Sequence, residues 1–333
     1  MSSCHCPFST SQLTMKDFDR DYPAVQGYVR TFLDHANDPV AKLRIYVYSI
    51  RSASAVGDSA QAIEIGRRAL ASAGHRLPET TEEADAVVQE IRARLSLSDA
   101  QVDVRVIPHI PSTGTGADTP YEQDLVRAPV LQDPVAAGCQ AILAALVPPV
   151  YFVRIDLLGA LSSISLALSV THGLDHSGAF VLTLHAVLVR SRFGNNAEAF
   201  AYGRAAIAFF ERTRGSPLAC PTYKVYSSHV AIWTLPIDAV LATFRQSIAY
   251  GMEYRDAEYL GFGTAECCAY SMLFGGNLEA LSSDLDRYAV LVRKYRHELS
   301  STCKCRSSQV PAETNTDHAT LQTLAWCSKP YFA

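Results

Sequence analysis

Along most of the chain apolar residues return every three or four positions, as in Val40, Leu43, Val47 and Ile50, which is the spacing of one buried helix face. Alternation of the strand kind never recurs often enough to build a sheet. From Asp133 onward turn signals break the periodic stretches about every twenty residues, at Pro148-Pro149, Gly173-Leu174-Asp175, Gly194-Asn195-Asn196, Gly215-Ser216-Pro217, Leu235-Pro236, Arg255-Asp256 and Gly275-Gly276-Asn277, and an earlier one stands at Gly57-Asp58. That rhythm is what antiparallel helix pairs require. The pattern therefore predicts an all-α protein, with Ser59 capping the helix after the first turn and the apolar run from Ala136 ending as a helix at Pro148-Pro149.

Four stretches repeat one another, each a tight turn followed by a helix with alanine near its start: GDSAQAIEIGRRALA from Gly57, GNNAEAFAYGRAAIA from Gly194, LPIDAVLATFRQSIA from Leu235 and GGNLEALSSDLDRYAV from Gly275. The first two agree best. Ala60, Ala62, Gly66, Arg67, Ala69 and Ala71 match Ala197, Ala199, Gly203, Arg204, Ala206 and Ala208. From Ala199 to Ala239 to Ala280 the step is about 40 residues, the length of one two-helix unit, so the expected architecture is a TPR-like α-solenoid of antiparallel helix pairs.

The same reading divides the chain. Residues 1–26 are expected to be a loose N-terminal segment and 27–104 the first helical repeats, closing with the charged, exposed helix of HRLPETTEEADAVVQEIRARLS. Residues 105–132, rich in Pro, Gly, Ser and Thr, read as a flexible insertion, 133–300 as the main helical-repeat block, and 301–333 as an irregular C-terminal tail. The repeats read as the middle of something larger.

Composition narrows the function. Of 333 residues 48% are hydrophobic and 19% charged, which is apolar enough that some surface is expected to meet other protein. The net charge of -4, with basic residues spread singly, argues against a nucleic-acid groove. With no basic-then-apolar leader at the start, and an apolar run that prolines interrupt, the expected location is cytoplasmic without a membrane span. Nine scattered cysteines fit free thiols in a reducing compartment.

Candidate chemistry is thin. STGTGAD at Ser112–Asp118 lacks the Lys that a phosphate loop needs, and reads as linker. His172 and His176 form an HxxxH, but Gly173 interrupts any helix there and the glutamate of a zinc protease is missing, so His172 is expected to pack or cap a turn. The pairs Cys4/Cys6, with His5 beside them, and Cys303/Cys305 have a spacing less typical of zinc sites, and adjacent Cys267 and Cys268 read as packing. No catalytic, cofactor-binding or metal-binding residue is assigned, and the chain is not expected to be an enzyme. Among aromatics that otherwise read as inter-helix packing, Tyr202 and Tyr250 are the candidates for a partner surface.

The stretch AILAALVPPVYFVRIDLLGALSSISLALSVTHGLDHSGAF, Ala141–Phe180, with FGNNAEAFAYGRAAIAFFER, YRDAEYLGFGTAECCAYSMLFGGNLEAL and the earlier GDSAQAIEIGRRALASAGHRLP, resembles the helical-repeat region of large multidomain signalling kinases. In that family a Ser/Thr-kinase-like segment and an AAA-type ATPase precede the repeats, and GAF, histidine kinase and receiver domains follow. The resemblance covers about residues 27 to 300. It implies a non-catalytic scaffold or connector in two-component signal transduction, acting by protein–protein interaction with ATPase or kinase modules. The family's phosphate loop, phosphoacceptor region and receiver pocket have no match here, so no catalytic residue is carried over. Two other functions fit the same residues: a fragment of a signalling kinase or ATPase that needs a partner chain, and a free-standing TPR-like adaptor that binds an extended peptide through Tyr202 and Tyr250.

Overall fold

The computed structural model describes residues 22–35, 38–98, 128–213, 215–274 and 277–294. These residues form an all-α protein of twelve α-helices: α1 Tyr22–His35, α2 Pro39–Ala55, α3 Ser59–Ser72, α4 Thr81–Ser98, α5 Pro134–Val153, α6 Leu158–His172, α7 His176–Phe193, α8 Asn196–Thr213, α9 Ala219–His229, α10 Ile237–Tyr254, α11 Ala257–Leu273 and α12 Leu278–Lys294. Short 3-10 turns at Ile155–Leu157 and Ala231–Trp233 precede α6 and α10. The helices fall into two compact units, divided within α7 between His185 and Ala186.

Asp and Asn start most of these helices. An acceptor side chain just outside the first turn satisfies backbone N–H groups that have no partner within the helix. Asp38 accepts from the amides of Val40 and Ala41, and Asp133 from those of Val135 and Ala136. Asp256 takes the amide of Tyr259, and Asn195 that of Glu198. At α3 the cap is Asp58, which accepts from Gln61, rather than Ser59, which is already the first helical residue. The carboxylate one position earlier takes the bond expected of the hydroxyl.

In the first unit α5 is the central element, packing against α2, α3 and α6. Its helix does not stop at the prolines. It runs through Pro148 and Pro149 to Val153, where the amide of Arg154 closes on the carbonyl of Val150. Two consecutive prolines remove two donors only one turn from the end, so few helical bonds remain to be lost. Helix α5 and the segment Ile155–His172 are both long and apolar enough to cross a membrane, and 61% of each 18-residue window is buried inside the protein. Helix α4 is not exposed all round: Ala84, Val88 and Ile91 form a buried stripe, and α4 packs on α6.

Between α5 and α6 the buried amide of Gln140 donates to the Ser165 carbonyl at 3.0 Å and to Ser169 Oγ at 2.9 Å. Its oxygen accepts from Ser165 Oγ at 2.5 Å. Bonding at both ends lets a fully buried amide stay in the core without a desolvation loss. The end of α6 is set by Gly173, whose φ of +96° few L-residues adopt and whose missing Cβ leaves room for the Pro129 carbonyl. Residues 128–131, the end of the expected insertion, are thereby held. The Leu174 amide donates to Pro129 O at 2.8 Å, and Leu131 donates to Leu174 O at 3.0 Å.

In the second unit α9 is the buried element, with every residue from Ala219 to Ser228 inside. It packs against α8, α10 and α11, and α12 packs on α11. Ser247 donates to the Cys220 carbonyl at 2.8 Å and Ser227 to Thr243 at 2.7 Å, tying α9 to α10.

Close approach between helices depends on glycine at two matched positions. A Cβ on Gly66 would lie 2.5 Å from Leu146, and one on Gly203 would lie 2.8 Å from the ring of Tyr226. Leu146 is fully buried and has no room to retreat. Gly66→Ala is therefore expected to destabilise the protein by about 1–3 kcal/mol, and Gly66→Ala combined with Leu146→Val to recover part of that loss, read from urea denaturation midpoints.

Candidate functional site

The second unit holds a buried ion pair and a shallow groove. Lys224 of α9 meets Glu266 of α11 at 2.8 Å, with side chains only 10% and 9% exposed. Lys224 Nζ also lies 5.6 Å from the centre of the Phe262 ring, a cation-π contact inside the protein. Glu266 Oε2 has no hydrogen-bond partner. His229 is half-buried as a residue, but its imidazole is desolvated and feels the charges of Lys224 and Arg190, which together push its pKa down to about 3. Arg190 lies over the Trp233 ring at 4.5 Å, and Tyr270 donates to the Ser228 carbonyl at 3.3 Å.

This arrangement holds charge rather than moving it. Lys224 and Glu266 are each other's charge partner at 2.8 Å, away from solvent. The thiols are equally quiet. Burial, ahead of nearby charges, raises Cys139 and Cys267 to about 11 and Cys268 to about 12, and raises Cys220 further. All four are free thiols, and the reactive species is the thiolate.

The groove lies between α10 and α12. Ile248, Met252, Tyr288 and Leu291 supply apolar surface, and Arg245 and Arg287 supply positive charge, around a volume of about 370 Å³. Arg287 Nη2 donates to Asp284 at 2.9 Å and to the Tyr288 hydroxyl at 3.0 Å.

Of the two tyrosines singled out in the sequence, Tyr202 is a core residue at 6% exposure, so a partner has no face of it to grip. Tyr250 is half-buried in an aromatic row, with ring centres 5.3 Å from Tyr223 and 6.4 Å from Tyr254. The structure does not bring Tyr202 and Tyr250 together as one surface. His172 is exposed at the end of α6, its Nδ1 3.3 Å from the Asp133 carboxylate. Cys267 and Cys268 are buried. Among the described residues no group of three His, Cys, Asp or Glu side chains is placed to hold a metal. Cys4, Cys6, Cys303, Cys305 and the Ser112–Asp118 string lie outside the described residues.

Sequence reading passed over Lys224, Glu266, Arg245 and Arg287. A signal existed for the first two: Lys224 is the lone charge in ACPTYKVYSSH, and Glu266 the lone charge in LGFGTAECCAYSML. A single charge in a long uncharged run of a helix needs a buried partner.

No family model matches this chain, and no curated protein or solved structure is similar to it.

Two measurements follow from these groups. Removing one member of a buried ion pair strands the other charge, so Lys224→Met or Glu266→Gln is expected to cost about 3–5 kcal/mol, while Lys224→Met with Glu266→Leu costs less than the sum, in a double-mutant denaturation cycle. His185, 6% exposed, is pushed from 6.5 down to about 3 by burial and then by the charge of Arg92. Its folded pKa lies below its unfolded one, so the unfolded chain takes up a proton that the folded chain refuses, and stability falls as pH drops from about 6.5 towards 3. His185→Gln is expected to flatten that slope in urea midpoints measured across the window.

Proposed function

We propose that this chain is a non-catalytic connector, a TPR-like α-solenoid of antiparallel helix pairs that works by holding other protein modules. The observation carrying this reading is the matched burial of the two best sequence copies. Ala62 and Ala199 are buried, as are Ala69 and Ala206, and Gly66 and Gly203 each face a side chain of another helix too closely for a Cβ. Ala60 and Ala197 are both exposed. Equivalent residues doing equivalent work in separate helices is what a stacked repeat requires.

The resemblance to signalling kinases gives the connector a place, between an ATPase and the sensor and histidine kinase modules of a two-component pathway. A cytoplasmic location goes with it. The raised thiols support a holding role over chemistry, because the reactive species of a cysteine is the thiolate. The α10–α12 groove favours a peptide-binding adaptor as the second reading.

Purified protein is expected to give a helical circular dichroism spectrum and no ATP turnover above a heat-denatured control. It is also expected to co-purify with separately expressed ATPase or histidine kinase modules from proteins that carry such a repeat region. Turnover that survives further purification, or failure to bind either module, would defeat the connector reading.

A further inference from the structure

The α10–α12 groove has the makings of a specific site, and the chemistry of its wall says for what. Its lining has two parts. Ile248 and Tyr288, at 3% and 4% exposure, are fixed in the core and give a rigid floor, whereas Met252, at 37%, stands partly free. A thioether on an unbranched stem adapts to apolar side chains of differing shape, and such residues recur where one surface must accept several sequences.

The charged part is of one sign. Arg245 and Arg287 line the groove, and among the described residues no carboxylate does, Asp284 lying beside it as the ion-pair partner of Arg287. Arg245 is exposed and has no hydrogen-bond or ion-pair partner among the described residues. Arg287 is 60% exposed, and both of its bonds leave through Nη2, to Asp284 and Tyr288. The donors of Nε and Nη1 remain for incoming acceptors, one bond each because they lie on different edges of the guanidinium, whereas Arg245 has a whole edge to offer a carboxylate a two-pronged bond. Two guanidiniums beside an apolar floor do not make the extended basic stripe that a nucleic-acid backbone needs. At about 370 Å³ the groove is at the small end of ligand sites, with room for a few side chains rather than a folded domain.

We propose that this groove docks a short acidic peptide segment of a partner protein, its carboxylates on Arg245 and Arg287 and its apolar side chains on Met252 and Leu291. The proposal rests on the connector reading and names what the connector grips.

The test uses the full chain and two fluorescein-labelled probes, a short peptide alternating glutamate with leucine and phenylalanine, and the same peptide with lysine for glutamate. Fluorescence anisotropy is expected to show the glutamate peptide binding, less tightly as salt rises, and the lysine peptide binding at least about tenfold more weakly. Arg245→Glu is expected to weaken the glutamate peptide about tenfold, Arg245→Gln to weaken it less, and Arg204→Glu, on exposed surface of α8, to leave it unchanged. Thermal melts by circular dichroism verify that each variant is folded. Equal binding of the two peptides, binding of neither, or an Arg245→Glu protein that binds like wild type would overturn the proposal. So would a sedimenting dimer that Arg245→Glu converts to monomer, since the occupant would then be a second copy. ATP turnover and module binding, measured on the same protein, judge the connector reading separately.

Discussion

Two helices can come only as near as the side chains between them allow, and this protein is built on helices that come very near. The atoms that would prevent it are missing at Gly66 and Gly203, and are reduced to one methyl at buried Ala62, Ala69, Ala199 and Ala206. Across such positions the larger residues of the facing helix, Leu146 and Tyr226, lie directly on backbone. Dispersion is gained in many small contacts at short range, and a gap of half an ångström already forfeits much of it. The burial of the rest of the core follows from that proximity.

Tight packing of apolar and small residues settles distance but only weakly settles register. The buried polar groups do the second task. Gln140 meets Ser165 and Ser169 in one rotational setting of α5 against α6, and Lys224 meets Glu266 in one setting of α9 against α11. A slip by one residue would leave an amide or a charge without a partner in a medium that does not solvate it. The two kinds of contact are complementary. Small residues make many arrangements close, and polar ones make a single arrangement acceptable.

How much of this was legible in the sequence depends on whether the signal was local. Helix positions were, and the caps left a local signal that was not read, because Asp38, Asp133, Asn195 and Asp256 act on amides two or three residues away. The α3 cap was misplaced by one residue because Asp and Ser stand side by side and both can accept. The prolines of α5 misled because a proline near a helix end removes little. Tyr202 was drawn to the surface by its type, although it sits one position before Gly203, on a helix packed closely enough to bury most of its circumference. The groove was not legible at all: Arg245 and Arg287 are 42 residues apart by their numbers, and only the packing of α10 and α12 about α11 sets them on one wall.

The buried thiols carry a consequence for the protein's lifetime. Peroxides and disulfides are attacked by the thiolate, and Cys139, Cys220, Cys267 and Cys268 are all held as thiols by the apolar shell that excludes water from them. Oxidative damage to these four sites then waits on local opening of the helices, and the rate of ageing is governed by breathing motions rather than by oxidant concentration alone. At these four positions the interior keeps its packing through swings in redox poise that would rewrite an exposed cysteine.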